Sequence, residues 1–190
     1  MPTIQSVPSL TAIDIQNSPP QIQVLNPEDG SLVGTVVNNS VSEVDSIIEA
    51  AVIGAAKAKK LSSNLRMSVL NEVADNLSNQ KELFAQMIAR EGIKTINEAR
   101  KEVSRCMETI RISAEEARRL TGETIAFDQA PGSENRFGYY RRIPLGVVAA
   151  ITPFNDPLNL VAHKIGPAIA AGNSVILYLT MRHLLSQQCL

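Results

Sequence analysis

The apolar residues of this chain follow two different periods, one helical and one extended. Between residues 40 and 121 they recur three or four positions apart, the spacing that places side chains on one face of an α-helix. Outside that region they form short continuous or alternating runs bounded by Gly, Pro, Asn and Asp, which is typical of β-strands. The pattern therefore predicts an α/β chain in which a block of helices lies between strands.

Four helices are predicted from the periodicity, at residues 40–60, 65–76, 81–90 and 96–120. Ser40 or Ser42 is the expected N-cap of the first helix, and Thr95 or Asn97 that of the last. Gly122 ends the last helix. The charged residues between positions 91 and 102 are interpreted as a solvated helix face that contains no catalytic residue.

Two antiparallel strand pairs are predicted on either side of the helices. Residues 22–24 and 32–37 flank a turn-forming segment with Asn, Pro, Asp and Gly. Residues 122–128 and 136–142 flank a second connection that is rich in turn residues. Each pair is expected to form a β-hairpin.

The most informative stretch runs from residue 143 to residue 177. It contains an apolar strand at 145–151, a tight turn with the sequence Thr-Pro-Phe-Asn-Asp-Pro, a helix, a Gly-Asn stop and a second strand at 174–177. This order predicts a βαβ unit. Parallel sheets bind ligands where the carboxyl end of a strand meets a helix, so residues 152–155 form the candidate binding site.

Composition places the chain among ordinary globular proteins, with 190 residues, 44% hydrophobic and 19% charged. A net charge of −1 with mixed signs provides no basic stripe for nucleic acid or for an anionic membrane. Two cysteines cannot form a disulfide framework, and no signal peptide or membrane-spanning run is recognisable. A cytoplasmic location is therefore expected.

Several motifs in the 143–177 stretch resemble the NAD(P)-dependent aldehyde dehydrogenase superfamily. They are Pro144-Leu-Gly-Val-Val, Thr152-Pro-Phe-Asn155, His163-Lys-Ile-Gly-Pro-Ala and Ala171-Gly-Asn173. The resemblance implies a Rossmann-like cofactor domain, NAD or NADP as the cofactor and a small aldehyde as the substrate. It also implies that the second hairpin pairs with a neighbouring subunit in a homo-oligomer.

The resemblance assigns one catalytic residue, Asn155, whose side-chain amide would donate to the oxygen of the tetrahedral intermediate. The alternative is an Asn that bonds its own backbone in a turn flanked by prolines. Ile151, Thr152, Pro153 and Phe154 would line the nicotinamide side of the cofactor cleft together with Asn155. Asp156 departs from the apolar residue of many members, and it is interpreted as the cap of the following helix, with substrate choice as the alternative.

The resemblance divides the chain into five segments. They are an extended leader (1–20), the hairpin and helices of the cofactor domain (21–121), the oligomerisation-type hairpin (122–143), the βαβ start of the cofactor core (144–177) and a tail unlike the family (178–190).

The tail carries Tyr178 where the family has a Lys that reaches the cofactor's ribose. The family's nucleophilic Cys and general-base Glu segments are not found, and Cys106 and Cys189 are interpreted as inert. The expectation is an N-terminal fragment, truncated and shifted in reading frame after Leu177, that is inactive alone. The alternative is a non-catalytic assembly or regulatory partner of a full-length dehydrogenase subunit.

Overall fold

A computed structural model describes residues 20–92 and 94–178 of the chain, and the predicted α/β class is confirmed. The elements, in chain order, are β1 (Gln21–Leu25), β2 (Leu32–Val37), α1 (Val44–Ala58), α2 (Ser63–Asn79), α3 (Lys81–Gly92), α4 (Ile96–Arg119), β3 (Gly122–Ile125), β4 (Gly138–Arg141), β5 (Val147–Ile151), α5 (Pro157–Ala170) and β6 (Ser174–Tyr178). The predicted leader apart from Pro20, the tail apart from Tyr178, and Cys189 lie outside the described residues.

The long helix α4 is the centre of the hydrophobic core. Its apolar stripe, which includes Val103, Cys106 and Ile110, is fully buried against α2, α3 and α5. Burial of these side chains, with Leu70 of α2 and Leu158 of α5, supplies the main hydrophobic stabilisation of this region. The helix therefore connects the N-terminal helices to the βαβ unit.

The two uncertain helix starts are resolved by capping boxes. The Thr95 Oγ1 accepts from the Glu98 amide at 3.3 Å, and the Glu98 carboxylate accepts from the Thr95 amide at 3.1 Å. At the first helix, the Glu43 carboxylate accepts from the Ser40 amide at 2.6 Å, and a 3₁₀ turn over Val41–Glu43 precedes α1. Thr95 is therefore the N-cap of α4, and Ser40 is the N-cap of the 3₁₀ turn that leads into α1. Each capping box satisfies backbone donors that a helix start leaves free.

Both predicted hairpins form, with different surroundings. Strands β1 and β2 pair antiparallel and bury Val24, Val33 and Val36 in a small cluster with Met87 of α3. Strands β3 and β4 also pair antiparallel, but Tyr139 and its neighbour on the opposite face are exposed. Within the described residues, the second hairpin therefore has an exposed tyrosine on each face.

The βαβ unit is present as predicted. Strands β5 and β6 are parallel, with Val147 opposite Ser174 and Ile151 opposite Tyr178, so β6 continues one residue beyond the expected end at Leu177. Helix α5 connects the two strands and crosses α4 at close range. A Cβ atom added to Gly166 would lie 2.5 Å from the Ser113 Oγ, so any larger residue at this position would have to displace the Ser113 side chain.

None of the helices within residues 20–92 and 94–178 is both long and apolar enough to cross a membrane.

The α4–α5 crossing gives a test of the fold. Replacing Gly166 by Val should lower the free energy of unfolding by about 1 to 3 kcal/mol, because the added atoms overlap Ser113. Adding Ser113→Gly to the variant should restore part of that loss. Lys164→Val, at an exposed position of the same helix, is the control for β-branching. Equal denaturant midpoints for Gly166→Val and Lys164→Val would contradict the close crossing.

Candidate functional site

The predicted binding residues form one continuous turn between β5 and α5. Ile151 is the last residue of β5 and 66% exposed, and Phe154 is 48% exposed. Pro153 and Asn155 are also exposed, whereas Thr152 is 1% exposed. The turn thus offers an apolar surface and one polar side chain to a ligand at the carboxyl end of the strand.

Thr152 is the exception among the five predicted residues. Its side chain is enclosed, and its Oγ1 has no hydrogen-bond partner within the described ranges. A buried hydroxyl without a partner is uncommon, since its desolvation is not compensated. The hydroxyl does not form part of the exposed surface of the turn.

Asn155 is free to bind a ligand through its side chain. Its amide forms no hydrogen bond with the part of the chain that the structure describes, so the alternative of an Asn bonding its own backbone is not realised. An exposed amide without a partner keeps both N–H donors available.

The first turn of α5 has no backbone donor left for a ligand. Pro157 has no N–H group, and the amides of Leu158 and Asn159 donate to the Glu102 Oε1 at 2.9 and 3.2 Å. The Leu160 amide donates to the carbonyl oxygen of Asp156 at 2.9 Å. Helix N-termini commonly bind anions, but here the carboxylate of Glu102 already occupies that position.

The expectation that the charged residues before position 103 form a solvated face is wrong for Glu102. Its side chain is 0% exposed, because α5 begins directly over it. Glu91 is buried as well. Glu98 and Arg100 are exposed, as the periodicity predicted.

The interpretation of Asp156 as the cap of α5 is also corrected. Asp156 occupies the N-cap position, but its side chain makes no capping hydrogen bond. Its carboxylate instead accepts from the Lys94 Nζ at 2.5 Å and from the Arg105 Nη2 at 2.7 Å. The side chain faces the cations of the preceding elements because Glu102 already bonds the amides that a cap would bind.

Glu102, Lys94, Asp156 and Arg105 form one ionic network, which we call the Glu102 cluster. Lys94 bridges the two acids, since its Nζ also lies 2.6 Å from the Glu102 Oε2. Burial disfavours the charge on Lys94, but hydrogen bonds to Asp156 and Glu102 outweigh it and raise its pKa. Burial likewise opposes ionisation of Asp156, but Lys94 and Arg105 lower its pKa overall. The cluster contains two cations and two anions, so its charges balance.

Two other candidate groups are not placed for chemistry. Cys106 lies in the core, and burial, followed by the charge of Glu102, raises the pKa of its thiol to about 12. The thiol is therefore protonated at neutral pH and cannot act as a nucleophile. His163 is exposed on α5, with its Nε2 3.5 Å from the Thr109 Oγ1. The described residues contain no group of three or more His, Cys, Asp or Glu side chains placed to hold a metal ion.

A model of the aldehyde dehydrogenase family matches residues 15–188 of the chain, and so extends beyond Leu177, where the resemblance was expected to end. Aspartate-semialdehyde dehydrogenase 1 of Pseudomonas canavaninivorans is 51% identical over 158 residues, which are 83% of this chain and 34% of that protein.

Solved structures agree with these matches. Aldehyde dehydrogenase 21 from Physcomitrella patens, in complex with the reaction product succinate, superposes with a TM-score of 0.87 at 33% identity over 92% of this chain and 36% of its own. NADP-dependent glyceraldehyde-3-phosphate dehydrogenase from Bacillus halodurans C-125, complexed with NADP, superposes with a TM-score of 0.85 at 36% identity. The match covers 90% of this chain and 36% of that protein. The chain thus spans about a third of the length of these relatives.

The Glu102 cluster predicts how stability depends on pH. The lowered pKa of Asp156 means that its ionised form stabilises the fold above the unfolded value of 3.8, and this contribution is lost as pH falls through the folded pKa. The raised pKa of Lys94 means that its contribution is complete below 10.5 and is lost as pH rises through the folded pKa.

Thermal unfolding of Asp156→Asn across the acid range should therefore show a weaker loss of stability below pH 3.8 than the unchanged chain. Asp128→Asn, at an exposed position outside the cluster, is the control. An acid profile for Asp156→Asn that matches the control would contradict the contribution of the cluster.

Proposed function

The chain belongs to the aldehyde dehydrogenase family, and we propose that it supplies the oxyanion donor and the nicotinamide-facing turn of an enzyme that oxidises an aldehyde to a carboxylic acid with NAD or NADP. The observation that carries the proposal is the free side-chain amide of Asn155 at the carboxyl end of β5. Attack on an aldehyde carbon leaves negative charge on the carbonyl oxygen, and a neutral N–H donor fixed nearby stabilises that charge.

The contacts of α5 support the choice of Asn155 over the helix end. A helix N-terminus could also stabilise an oxyanion, but Glu102 accepts the hydrogen bonds of Leu158 and Asn159. The first turn therefore has no amide to direct at the substrate. The side chain of Asn155, one residue before the N-cap, is an exposed donor at this turn that has no partner among the described residues.

The cofactor is proposed to lie against the same turn. Ile151 and Phe154 are apolar and about half or more exposed, which suits the face of a nicotinamide ring, while Pro153 keeps the turn rigid. When bound, the cofactor supplies the acceptor for the aldehyde's hydride. The solved complex of the Bacillus halodurans relative with NADP supports NAD or NADP as the cofactor class.

The substrate is proposed to be a short aldehyde with an anionic group. The names of the similar proteins point to aspartate semialdehyde, to an acid product, succinate, and to glyceraldehyde 3-phosphate. Each of these molecules is small and carries a carboxylate or a phosphate. They define the first set of aldehydes to test.

A nucleophile from outside the described residues is required by this mechanism. Oxidation through a thiohemiacetal needs a thiolate, and the thiol of Cys106 is both buried and protonated at neutral pH. Together with the interpretation of Cys189 as inert, this leads us to propose that the 190-residue chain alone does not oxidise aldehydes.

A second candidate function is that of a non-catalytic partner of a complete dehydrogenase subunit. It is favoured by the exposed apolar residues on and beside β4, which include Phe137, Tyr139 and Ile143. Exposed apolar side chains at a hairpin are typical of a surface that another subunit covers. If the partner is a second copy of this chain, the same hairpin would form the interface of a homo-oligomer.

The role of Asn155 can be tested in a chimera. Residues 20–178 would replace the matching segment of the aspartate-semialdehyde dehydrogenase relative. Asn155→Ala should then lower kcat roughly 10²- to 10³-fold, about 2.7 to 4 kcal/mol, through loss of one oxyanion donor. Asn135→Ala, an exposed Asn in the β3–β4 connection, is the matched control and should leave kcat unchanged. An unchanged kcat in Asn155→Ala would reject the assignment.

The inactivity of the chain alone is tested by spectrophotometry. Purified chain with NAD or NADP and each of the three aldehydes, aspartate semialdehyde, succinate semialdehyde and glyceraldehyde 3-phosphate, should give no reduced cofactor. Activity that persists in Cys106→Ser would show that another nucleophile is present, and activity that disappears would show that the buried thiol reacts.

Co-expression with a tagged full-length dehydrogenase separates the two functions. Co-purification that is lost in Tyr139→Asp would favour the partner role, because a charge on the exposed hairpin would disrupt a subunit interface.

A further inference from the structure

A fully buried carboxylate with no assigned role lies in the centre of the helical core. Glu102 is 0% exposed, and its neighbours on the same face of α4 include Ala99, Val103 and Cys106, which are also buried. A charge in such surroundings is costly unless several partners compensate for it. Each oxygen of Glu102 has partners, and they lie on two different segments.

One oxygen holds the start of α5. The Glu102 Oε1 accepts from two successive amides of the first turn, and it lies 56 residues before the nearer of them in the sequence. A carboxylate at this end of a helix is favoured both by the free amides and by the helix dipole. Because the local N-cap Asp156 does not bond these amides, the position of this end of α5 is set by α4.

The other oxygen is linked through Lys94 to Asp156, at the end of the turn between β5 and α5. The Glu102 Oε2 binds the Lys94 Nζ, which in turn binds Asp156, and Arg105 binds the second oxygen of Asp156. Asp156 is the residue directly after Asn155. The backbone on the helical side of Asn155 is therefore fixed twice, through Asp156 and through Leu158.

We propose that Glu102 is a positioning residue that sets the placement of the Asn155 amide. The proposal rests on the function proposed for Asn155. The side chain of Asn155 has no hydrogen bond to the described residues that could orient it, so its placement depends on the backbone. That backbone is held by hydrogen bonds to a charged group, and such bonds are stronger than neutral ones.

Substitutions can separate the two sets of contacts that Glu102 makes, those of Oε1 with α5 and that of Oε2 with Lys94. Glu102→Gln keeps an oxygen that can accept from Leu158 and Asn159, but it directs a neutral NH₂ group at the ammonium of Lys94. Lys94→Met leaves Glu102 in place but removes the ammonium that binds both its Oε2 and Asp156. Glu102→Leu removes both sets of contacts. Glu108→Gln, at an exposed position of α4, is the matched control.

The test uses the full 190-residue chain and two readouts. Amide hydrogen exchange at Leu158 and Asn159 reports the strength of their hydrogen bonds to Glu102. The side-chain ¹⁵N–¹H₂ resonances of Asn155 report the placement of its amide. In Glu102→Leu, exchange should accelerate roughly tenfold or more at both positions, because two charge-assisted bonds are lost. In Glu102→Gln, exchange there should change by less than about threefold, and in both Glu102→Gln and Lys94→Met the Asn155 resonances should shift.

Glu102→Gln and Lys94→Met also cover the case in which Glu102→Leu fails to fold. Asn155 resonances in both variants that match those of Glu108→Gln would overturn the proposal. Because the resonances of Asn155 are measured without any activity assay, they test the positioning role of Glu102 separately from the catalytic role proposed for Asn155. Loss of the Asn155 role would instead appear as an unchanged kcat for Asn155→Ala in the chimera.

Discussion

The carboxylate of Glu102 is the interaction on which the arrangement of the βαβ unit depends. It is completely buried, and its two oxygens accept from two backbone amides of α5 and from the ammonium of Lys94. A charge of this kind cannot lose a partner without a large cost, since the remaining charge would be buried without compensation. The crossing of α4 and α5 is therefore fixed by electrostatics as well as by the close approach of Gly166 to Ser113.

This constraint determines what chemistry the turn can offer. In many parallel α/β sheets the N-terminus of the connecting helix binds an anionic group of the ligand. In this chain the first-turn amides are already bonded to protein groups, and Lys94 and Arg105 are neutralised by Asp156 and Glu102. The turn consequently presents an apolar wall and a neutral amide. That combination is suited to a nicotinamide ring and to an oxygen whose negative charge appears only during the reaction.

Most of the fold could be predicted because its signals are local. Helix periodicity, capping residues and turn-forming segments located every helix and strand of the described chain to within a few residues. The stretch with the site was also found, since a strand, a turn and a helix follow one another directly in the sequence. Its assignment to cofactor and substrate is a prediction that rests on the family resemblance.

The Glu102 cluster was missed because its partners are distant in sequence. An acid on a helix is usually solvated, and the amides that require Glu102 belong to a helix more than fifty residues later. One local signal was available: Glu102 lies three residues after Ala99 and four before Cys106, so it shares the buried face of α4. The same missing information caused Asp156 to be read as a cap, because the competition for the α5 amides is visible only in three dimensions.

The pairing of β5 with β6 places Tyr178 at the proposed cofactor side of the site. In the register of the two strands Ile151 lies opposite Tyr178, and both side chains are largely exposed at the carboxyl ends. The residue that stands where the family resemblance implies a Lys is thus adjacent to the first residue of the proposed nicotinamide wall. A phenol provides an aromatic face and a hydroxyl but no positive charge. Since Lys94 and Arg105 already form ion pairs in the Glu102 cluster, neither can replace that charge without giving up an ion pair with an acid of the cluster.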